Sequence, residues 1–341
     1  MVELRTMNQP EVTTSAAAHS YSWARHHNGS CHPPPLSHVR IPLKRLLEPA
    51  NASARIATLL RSNTTFLATR MGNSEQEAAF CFHEQGATAH ALKRGQLENN
   101  AGVYWTKSDR GLSRDEMLAV YAAEFVRAMS LSDFIGTYST PPEDRTDAFE
   151  AALVTRYCLP RAACSPVKPR VLEPRFADVY HYEPWSAALE GKTVLIIHPF
   201  EESIRSQYAR RRQVWPDARM LPDFAELKTV KVPISAVGRH PHRDFLETLE
   251  VLQQAVEAAQ PFDVALMGCG GYGLPLAAYI RGNLSRSAIY VGGGLQLMFG
   301  ITGSRWLGRA DMKPWVNEFW VRPSASETPV NAIQFERASY F

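Results

Sequence analysis

The segment that most restricts the fold is a short, mostly apolar stretch followed by a run of glycines. Phe262 to Met267 has the character of a strand buried on both faces of a parallel sheet. It continues into Gly268-Cys269-Gly270-Gly271-Tyr272-Gly273 and then into a predicted helix that ends at about Arg281. A strand that enters a glycine turn and then a helix is typical of α/β proteins.

The same alternation of apolar strands and amphipathic helices extends over most of the chain. The other predicted strands are Thr64–Thr69, Asp133–Tyr138, Lys192–His198, Leu227–Val232 and Ala288–Val291, and the predicted helices are Asn51–Ser62, Gln76–His83, Ser113–Ser130, Asp147–Tyr157, Glu201–Val214 and Arg243–Ala259. Ser113 followed by Glu116 is a capping-box pattern at the start of one of these helices. The sequence therefore predicts an α/β fold with a Rossmann-like, mostly parallel sheet covered by helices on both faces.

The first residues have a different composition. Residues 1–38 are rich in Ser, Thr, His and Pro and show no apolar period, so we predict a disordered N-terminal tail and a single α/β domain over residues 39–341. Cys158 to Pro174 contains four prolines and is predicted to be a linker or an irregular cover. Five scattered cysteines without a C-x-x-C pair favour a cytoplasmic protein, and targeting to an organelle by the tail is the alternative.

Charge and hydropathy exclude two classes of partner. The formal net charge is +3, from 37 Lys and Arg against 34 Asp and Glu. Such a balance provides no long-range field for binding nucleic acid. No apolar run approaches the roughly 20 residues that cross a membrane, so no integral membrane segment is expected.

The glycine turn is the first candidate site. Gly268, Gly270 and Gly273 match G-x-G-x-x-G, and Gly271 adds a further position where the backbone can approach a phosphate closely. A dinucleotide site expects an acidic residue at the end of the next strand. Here that strand enters three glycines, which argues against an enzyme that uses NAD or S-adenosylmethionine. The alternative is that the glycines only form a tight joint between strand and helix.

A polar turn after an early strand is the second candidate site. Arg70 can pair with a phosphate, Asn73 can donate and accept hydrogen bonds, and Glu75 is a candidate catalytic residue and metal ligand. The alternative is that Asn73 or Ser74 caps a helix and that Glu75 lies in its first turn.

Two further groups of residues complete the candidates. His198 ends a core strand and can hydrogen-bond a phosphate or a hydroxyl, while Glu201 or Glu202 is a candidate general base; the alternative is that the two acids stabilise a helix dipole. Trp315 and Asn317 are candidate contacts to an acceptor or a sugar, unless the aromatic residues there cover the sheet edge.

The basic stretch Ser206 to Arg212 is interpreted as a solvated helix face. Help in binding a pyrophosphate is the alternative for these arginines.

Three segments carry a resemblance to a known family. Arg70-Met71-Gly72-Asn73-Ser74-Glu75 is similar to R-x-G-D-G-E, and Pro199-Phe200-Glu201-Glu202-Ser203-Ile204-Arg205-Ser206-Gln207 is similar to P-F-x-x-S-I-x-x-Q. Asp263 to Gly294 has the matching order of strand, glycine turn, helix and strand ending in glycine. Over roughly residues 50–303 the chain thus resembles the GT-D-type glycosyltransferase fold, first recognised in a bacterial domain of unknown function.

The resemblance implies transfer of a sugar from a nucleoside-diphosphate sugar to a glycan or another hydroxyl acceptor. It also implies a Mn²⁺ or Mg²⁺ ion held by the acids of the D-x-E motif, of which Glu75 is the second. Asn73 stands where the family has the first acid, which should weaken metal binding. The alternative is a non-catalytic nucleotide- or glycan-binding module with a degenerate metal site.

Overall fold

One parallel sheet organises the chain. A computed structural model describes residues 41–84, 95, 97–105, 110–137, 148–167, 172, 182–236, 238–310, 312–334 and 336–341; the predicted tail, residues 1–38, lies outside them. Seven strands of this described part form a sheet in the order β3-β2-β1-β7-β6-β4-β5, and every pairing is parallel. The strands are β1 (Leu67–Arg70), β2 (Phe134–Gly136), β3 (Ser165–Val167), β4 (Thr193–His198), β5 (Glu226–Lys231), β6 (Val264–Met267) and β7 (Ser287–Tyr290).

Helices cover both faces of this sheet, and the predicted Rossmann-like α/β fold is confirmed. The helices are α1 (Pro49–Arg61), α2 (Asn73–Glu84), α3 (Arg114–Leu131), α4 (Ala148–Leu153), α5 (Glu201–Ala209), α6 (Arg211–Val214), α7 (Phe245–Ala258), α8 (Gly273–Gly282), α9 (Leu295–Met298) and α10 (Ser304–Leu307). The predicted capping box at α3 is present, because the Ser113 hydroxyl accepts from the Glu116 amide and the Glu116 carboxylate accepts from the Ser113 amide. None of the helices within the described ranges is both long and apolar enough to cross a membrane.

Two hydrophobic cores lie on opposite faces of the sheet. The first core contains apolar side chains of α2, α3, α7 and α8, and the second contains those of α1, α5, α9 and the C-terminal segment. Strand residues alternate between them: Leu195 and Ile197 of β4 belong to the first core, and Val194 and Ile196 to the second. This alternation is the period of two expected of a strand.

Several elements differ from the prediction, and the predicted helix Glu201–Val214 is divided into α5 and α6. The proline-rich segment predicted as a linker contains the edge strand β3, in which Pro166 pairs with Ile135 of β2. Proline is tolerated there because an edge strand needs amide donors on one side only. Helix α2 begins at Asn73 and not at Gln76, so that Glu75 lies in its first turn.

The four central strands pass the chain to alternate faces of the sheet. From β1 and β6 the chain continues into α2 and α8 on the first core, whereas from β4 and β7 it continues into α5 and α9 on the second. At the carboxyl ends of the neighbouring strands β1, β7, β6 and β4, the segments that follow therefore turn alternately toward one core and the other. Such divergence opens a crevice, which is where open α/β sheets bind ligands.

A carboxylate from the C-terminal segment satisfies the amides at the start of α5. Glu327 is 4% exposed. Its carboxylate accepts hydrogen bonds from the Glu202 amide (2.7 Å), the Ser203 amide (3.2 Å), the Ser203 hydroxyl (2.5 Å) and the Ser324 hydroxyl (3.1 Å). Because helix N-termini attract negative charge, this contact fixes the C-terminal segment on the second core.

Replacing Glu327 with alanine should therefore destabilise the protein. We expect the free energy of unfolding to fall by about 2–4 kcal/mol, because several buried donors lose their acceptor at once. Chemical denaturation measures this loss. Glu202→Ala is the matched control: the Glu202 side chain is exposed and accepts only from the hydroxyls of Ser324 and Ser326 among the described residues, so its unfolding midpoint should stay close to that of the wild type. Equal midpoints for the two variants would contradict the assigned role of Glu327.

Candidate functional site

A cavity of about 520 Å³ lies at the carboxyl ends of the four central strands. Each strand contributes a residue to its wall at or just after its end: Arg70 from β1, Gly292 after β7, Gly268 after β6 and His198 from β4. Aromatic side chains complete the wall; they are Phe200, Tyr272, Tyr290, Trp306, Tyr340 and Phe341. The volume lies within the range of pockets that bind small molecules.

Cationic side chains outnumber carboxylates in this wall. Among the described residues that line the cavity, the arginines are Arg70, Arg305 and Arg309, and the single acidic side chain is that of Glu75. The described side chains of the wall therefore carry a net charge of +2. A partly enclosed site of this sign favours an anionic ligand, because the walls exclude water and strengthen the local field.

His198 directs a neutral hydrogen-bond donor toward the cavity. The residue is 4% exposed, and its Nδ1 accepts a hydrogen bond from the Phe200 amide at 3.0 Å. The proton of the neutral ring is thereby assigned to Nε2, to which no other described residue offers a hydrogen-bonding partner. Burial lowers the pKa of His198 from 6.5 to about 3, so the ring stays neutral at physiological pH.

The predicted glycine turn has two different roles. Gly268 and Gly270 line the cavity. Gly271 lies against Val103 and the carbonyl of Ala101, and a side chain at Gly273 would overlap the ring of Tyr290. The turn thus provides cavity wall at its start and a tight packing joint at its end, and phosphate binding by the turn stays a prediction.

A second glycine turn, Gly292 to Gly294, also lines the cavity. Gly292 has φ +77°, and a Cβ at this position would lie 2.6 Å from Nη1 of Arg70. Glycine is therefore required there both by the backbone conformation and by the close approach of the arginine. The sequence placed this turn at the end of a strand but did not identify it as part of the site.

Glu75 lies beside two buried tyrosines. Burial, and then the nearby carboxylate of Glu75, raise the pKa of Tyr121 and of Tyr290 well above the usual tyrosine value. The Tyr290 hydroxyl donates to the carbonyl of Gly270 at 2.9 Å. Both phenols therefore stay protonated, and the first turn of α2 and the first glycine turn are connected through Tyr290.

The structure does not bring the two candidate bases after β4 into the cavity wall. The Glu201 carboxylate accepts from the hydroxyl of Thr229 on β5 and from Arg205. That of Glu202 accepts from the hydroxyls of Ser324 and Ser326. The reason is that the α5 N-terminus is filled by Glu327, so the two acids that open this helix point elsewhere.

Trp315 and Asn317 also lie outside the cavity wall. The Asn317 amide donates to the carbonyls of Gln213 (3.1 Å) and Val214 (3.2 Å), and Trp315 packs near Trp215 with ring centroids 6.0 Å apart. Trp315 packs against the second core, and a contact of these two side chains with an acceptor or a sugar stays a prediction.

The basic stretch after β4 is engaged at the surface. Arg211 and Arg212 both bind the carboxylate of Asp223, at 2.6 Å and 2.5 Å, and Arg210 binds the side-chain oxygen of Gln207. These arginines do not line the cavity.

The described donor set does not fit a divalent cation. Mn²⁺ and Mg²⁺ prefer several oxygen ligands with carboxylates among them, and Glu75 provides the only side-chain carboxylate among the described residues of the wall. Asn73 lines the wall as a neutral amide, and the ranges that the structure describes contain no cluster of three or more His, Cys, Asp or Glu side chains able to hold a metal.

Sequence reasoning missed Arg305, Arg309 and Tyr340. They lie in or after a four-residue helix and in the last residues of the chain, where no periodic pattern predicts their position. Polar and aromatic residues alternate in the segment before the C-terminus. This pattern predicted Trp315 and Asn317 as contacts and did not indicate Arg305, Arg309 or Tyr340.

Comparison with known protein families, with curated proteins and with solved structures finds no match for this chain.

The pKa of His198 predicts a pH dependence of stability. Its pKa is about 3 in the folded protein and 6.5 in its usual state, so between these values the unfolded chain binds more protons, and stability falls as the pH falls. The contribution of His198 approaches about 1.4 kcal/mol per pH unit between pH 6 and pH 4. His198→Asn, which keeps an acceptor for the Phe200 amide, should lose this contribution. Urea unfolding at several pH values measures it, and parallel stability curves for the two proteins would contradict it.

The crowding around Gly268 predicts a steric requirement. A Cβ at Gly268 would lie 2.8 Å from the Gly292 carbonyl oxygen and 3.1 Å from His198 Nε2. We expect Gly268→Ala to cost about 1–3 kcal/mol of stability, because overpacking forces neighbours to shift. Gly308→Ala is the matched control, since a Cβ there meets no atom within 4 Å and should leave stability nearly unchanged. Thermal unfolding compares the two, and equal transitions would show that the strand ends are not crowded.

Proposed function

We propose that this protein binds a nucleoside-diphosphate sugar in the cavity and transfers the sugar to a hydroxyl acceptor. The observation that carries the proposal is that three arginines, a neutral histidine donor and one side-chain carboxylate of the described residues line one cavity at the carboxyl ends of the central strands. The similarity of Arg70 to Glu75 and of Pro199 to Gln207 to the GT-D-type motifs supports the choice of substrate. A cytoplasmic location is part of the same proposal.

Binding begins with the diphosphate. Arg70, Arg305 and Arg309 provide positive charge to the phosphate oxygens, and His198 donates a hydrogen bond from Nε2. The aromatic side chains in the wall provide faces on which a nucleoside base or a sugar ring can pack. The anionic and the apolar parts of one ligand are thereby satisfied in one cavity.

Glu75 is the residue that we propose for the chemical step, because it provides the side-chain carboxylate among the described residues of the wall. Its carboxylate takes the proton of the acceptor hydroxyl while the hydroxyl oxygen forms a bond to the anomeric carbon. The bond between this carbon and the diphosphate oxygen breaks, and its electron pair remains on the diphosphate. The arginines stabilise the charge that develops on this leaving group.

A second candidate function follows from the same wall. Asn73 lines the cavity without a charge, and the described residues hold no group of metal-ligating side chains. These observations favour a module that binds a nucleotide or a glycan without turning it over. The two functions differ in whether the bound sugar is transferred, and only transfer requires the carboxylate of Glu75.

Replacing Glu75 with glutamine separates the two functions. For an enzyme we expect sugar transfer to fall by at least about 100-fold, because proton transfer by a positioned base contributes roughly that much. The affinity for the nucleoside diphosphate should stay the same or rise. Product formation with UDP- and GDP-sugars and titration calorimetry with UDP and GDP measure the two effects. Glu202→Gln, outside the wall, is the control. Full transfer by Glu75→Gln would contradict the catalytic role, and binding by the wild type without any transfer would establish the binding module.

A further inference from the structure

The turn Gly292 to Gly294 lies between two arginines that reach the cavity from different parts of the chain. Arg70, at the end of β1, approaches Gly292 so closely that a Cβ on this glycine would lie 2.6 Å from Nη1. On the other side the ring of Tyr340 packs on Gly293. The Tyr340 hydroxyl accepts a hydrogen bond from Nη1 of Arg305 at 2.8 Å. Tyr340 thus positions Arg305 beside the same turn.

His198 adds a polar group to this arrangement from β4. Its Nε2 and the carbonyl oxygen of Gly292 both approach the same side of Gly268, at 3.1 Å and 2.8 Å from the Cβ that another residue would have. The ring is 4% exposed, and the other described residues leave Nε2 without a hydrogen-bond partner. A buried donor of this kind indicates a ligand acceptor, because buried polar groups are normally hydrogen-bonded.

The balance of charge points away from a metal-bridged ligand. A divalent cation would meet three arginines and a single carboxylate in the described wall, so that like charges would oppose it. A diphosphate, in contrast, is complementary to this wall, since guanidinium groups bind phosphate oxygens through charged and geometrically specific hydrogen bonds.

We propose that the diphosphate of the ligand lies over the Gly292–Gly294 turn between Arg70 and Arg305, that His198 donates to it, and that the arginines balance its charge in place of a divalent cation. This inference rests on the proposed function for the identity of the ligand. It differs from two expectations drawn from the sequence: that the glycine turn Gly268 to Gly273 binds the phosphates, and that, as the resemblance implies, a metal ion takes part.

The test uses inorganic pyrophosphate and UDP as probes of the full-length protein. Titration calorimetry is carried out in EDTA and again with Mn²⁺. We expect both probes to bind in EDTA, with dissociation constants that Mn²⁺ changes by less than about threefold. Binding that is detected only with Mn²⁺, or no binding under either condition, would overturn the inference.

Variants assign the binding to the two arginines. Arg305→Gln should weaken pyrophosphate by about tenfold or more, since one charged hydrogen-bonding partner is lost. Tyr340→Phe keeps the charge and should weaken it less, and Arg61→Gln, an exposed surface arginine paired with Glu183, should have no effect. The second variant is Arg70→Lys, which should also weaken pyrophosphate binding. Because Arg70 is part of the sheet, thermal unfolding checks that this variant is folded. Unchanged affinity in Arg305→Gln, or equal losses in Arg305→Gln and Arg61→Gln, would overturn the assignment.

The same titrations separate this inference from the proposed function. If pyrophosphate binds in EDTA and depends on Arg305, but no nucleoside-diphosphate sugar binds, the anion site stands and the function fails. If nucleotide sugars bind and are turned over only with Mn²⁺, the function stands and the inference fails.

Discussion

The cavity depends on the directions that the chain takes after four neighbouring parallel strands. After each strand the chain turns to the face of the sheet opposite to that of the strand beside it. If β1, β7, β6 and β4 all continued to the same face, their connections would pack against one another and close the carboxyl edge. Because the connections diverge strand by strand, the edge stays open. Residues that are far apart in sequence, such as Arg70 and His198, consequently reach one cavity.

Glu327 decides which groups at the carboxyl end of β4 stay available to a ligand. The helix that follows β4 could offer its free amides to a ligand, as such helices often do. Here the protein's own carboxylate occupies them. β4 therefore contributes the side chain of His198 to the cavity wall, whereas the Glu202 and Ser203 amides at the start of α5 are already hydrogen-bonded to Glu327. The same contact fixes the C-terminal segment, and Tyr340 of that segment positions Arg305.

The sequence predicted the fold well because the strands are continuous apolar segments and the helices carry caps such as Ser113. It also predicted that Arg70, Glu75, His198 and Gly268 lie near one another, and all four line the cavity, because each lies at or soon after the end of a buried strand and parallel strands end at one edge. Glu201 and Glu202 could not be placed in this way, because their orientation is decided by Glu327 more than a hundred residues later. Arg305 could not be found either, since short helices and turns have no period that reveals which side chain faces a cavity.

The two glycine turns illustrate why a motif alone does not locate a phosphate. Gly273 matches the expected spacing and Gly271 lies within the motif, yet the space left by their missing side chains is occupied by the ring of Tyr290 and by residues 101–103. Gly292 belongs to no spacing motif, but its positive φ and its contact with Arg70 leave the backbone beside a guanidinium group. Anion binding is favoured where the backbone can approach closely and positive charge lies nearby. Among the described residues both features occur at the second turn, which Arg70 approaches directly and Arg305 through its contact with Tyr340.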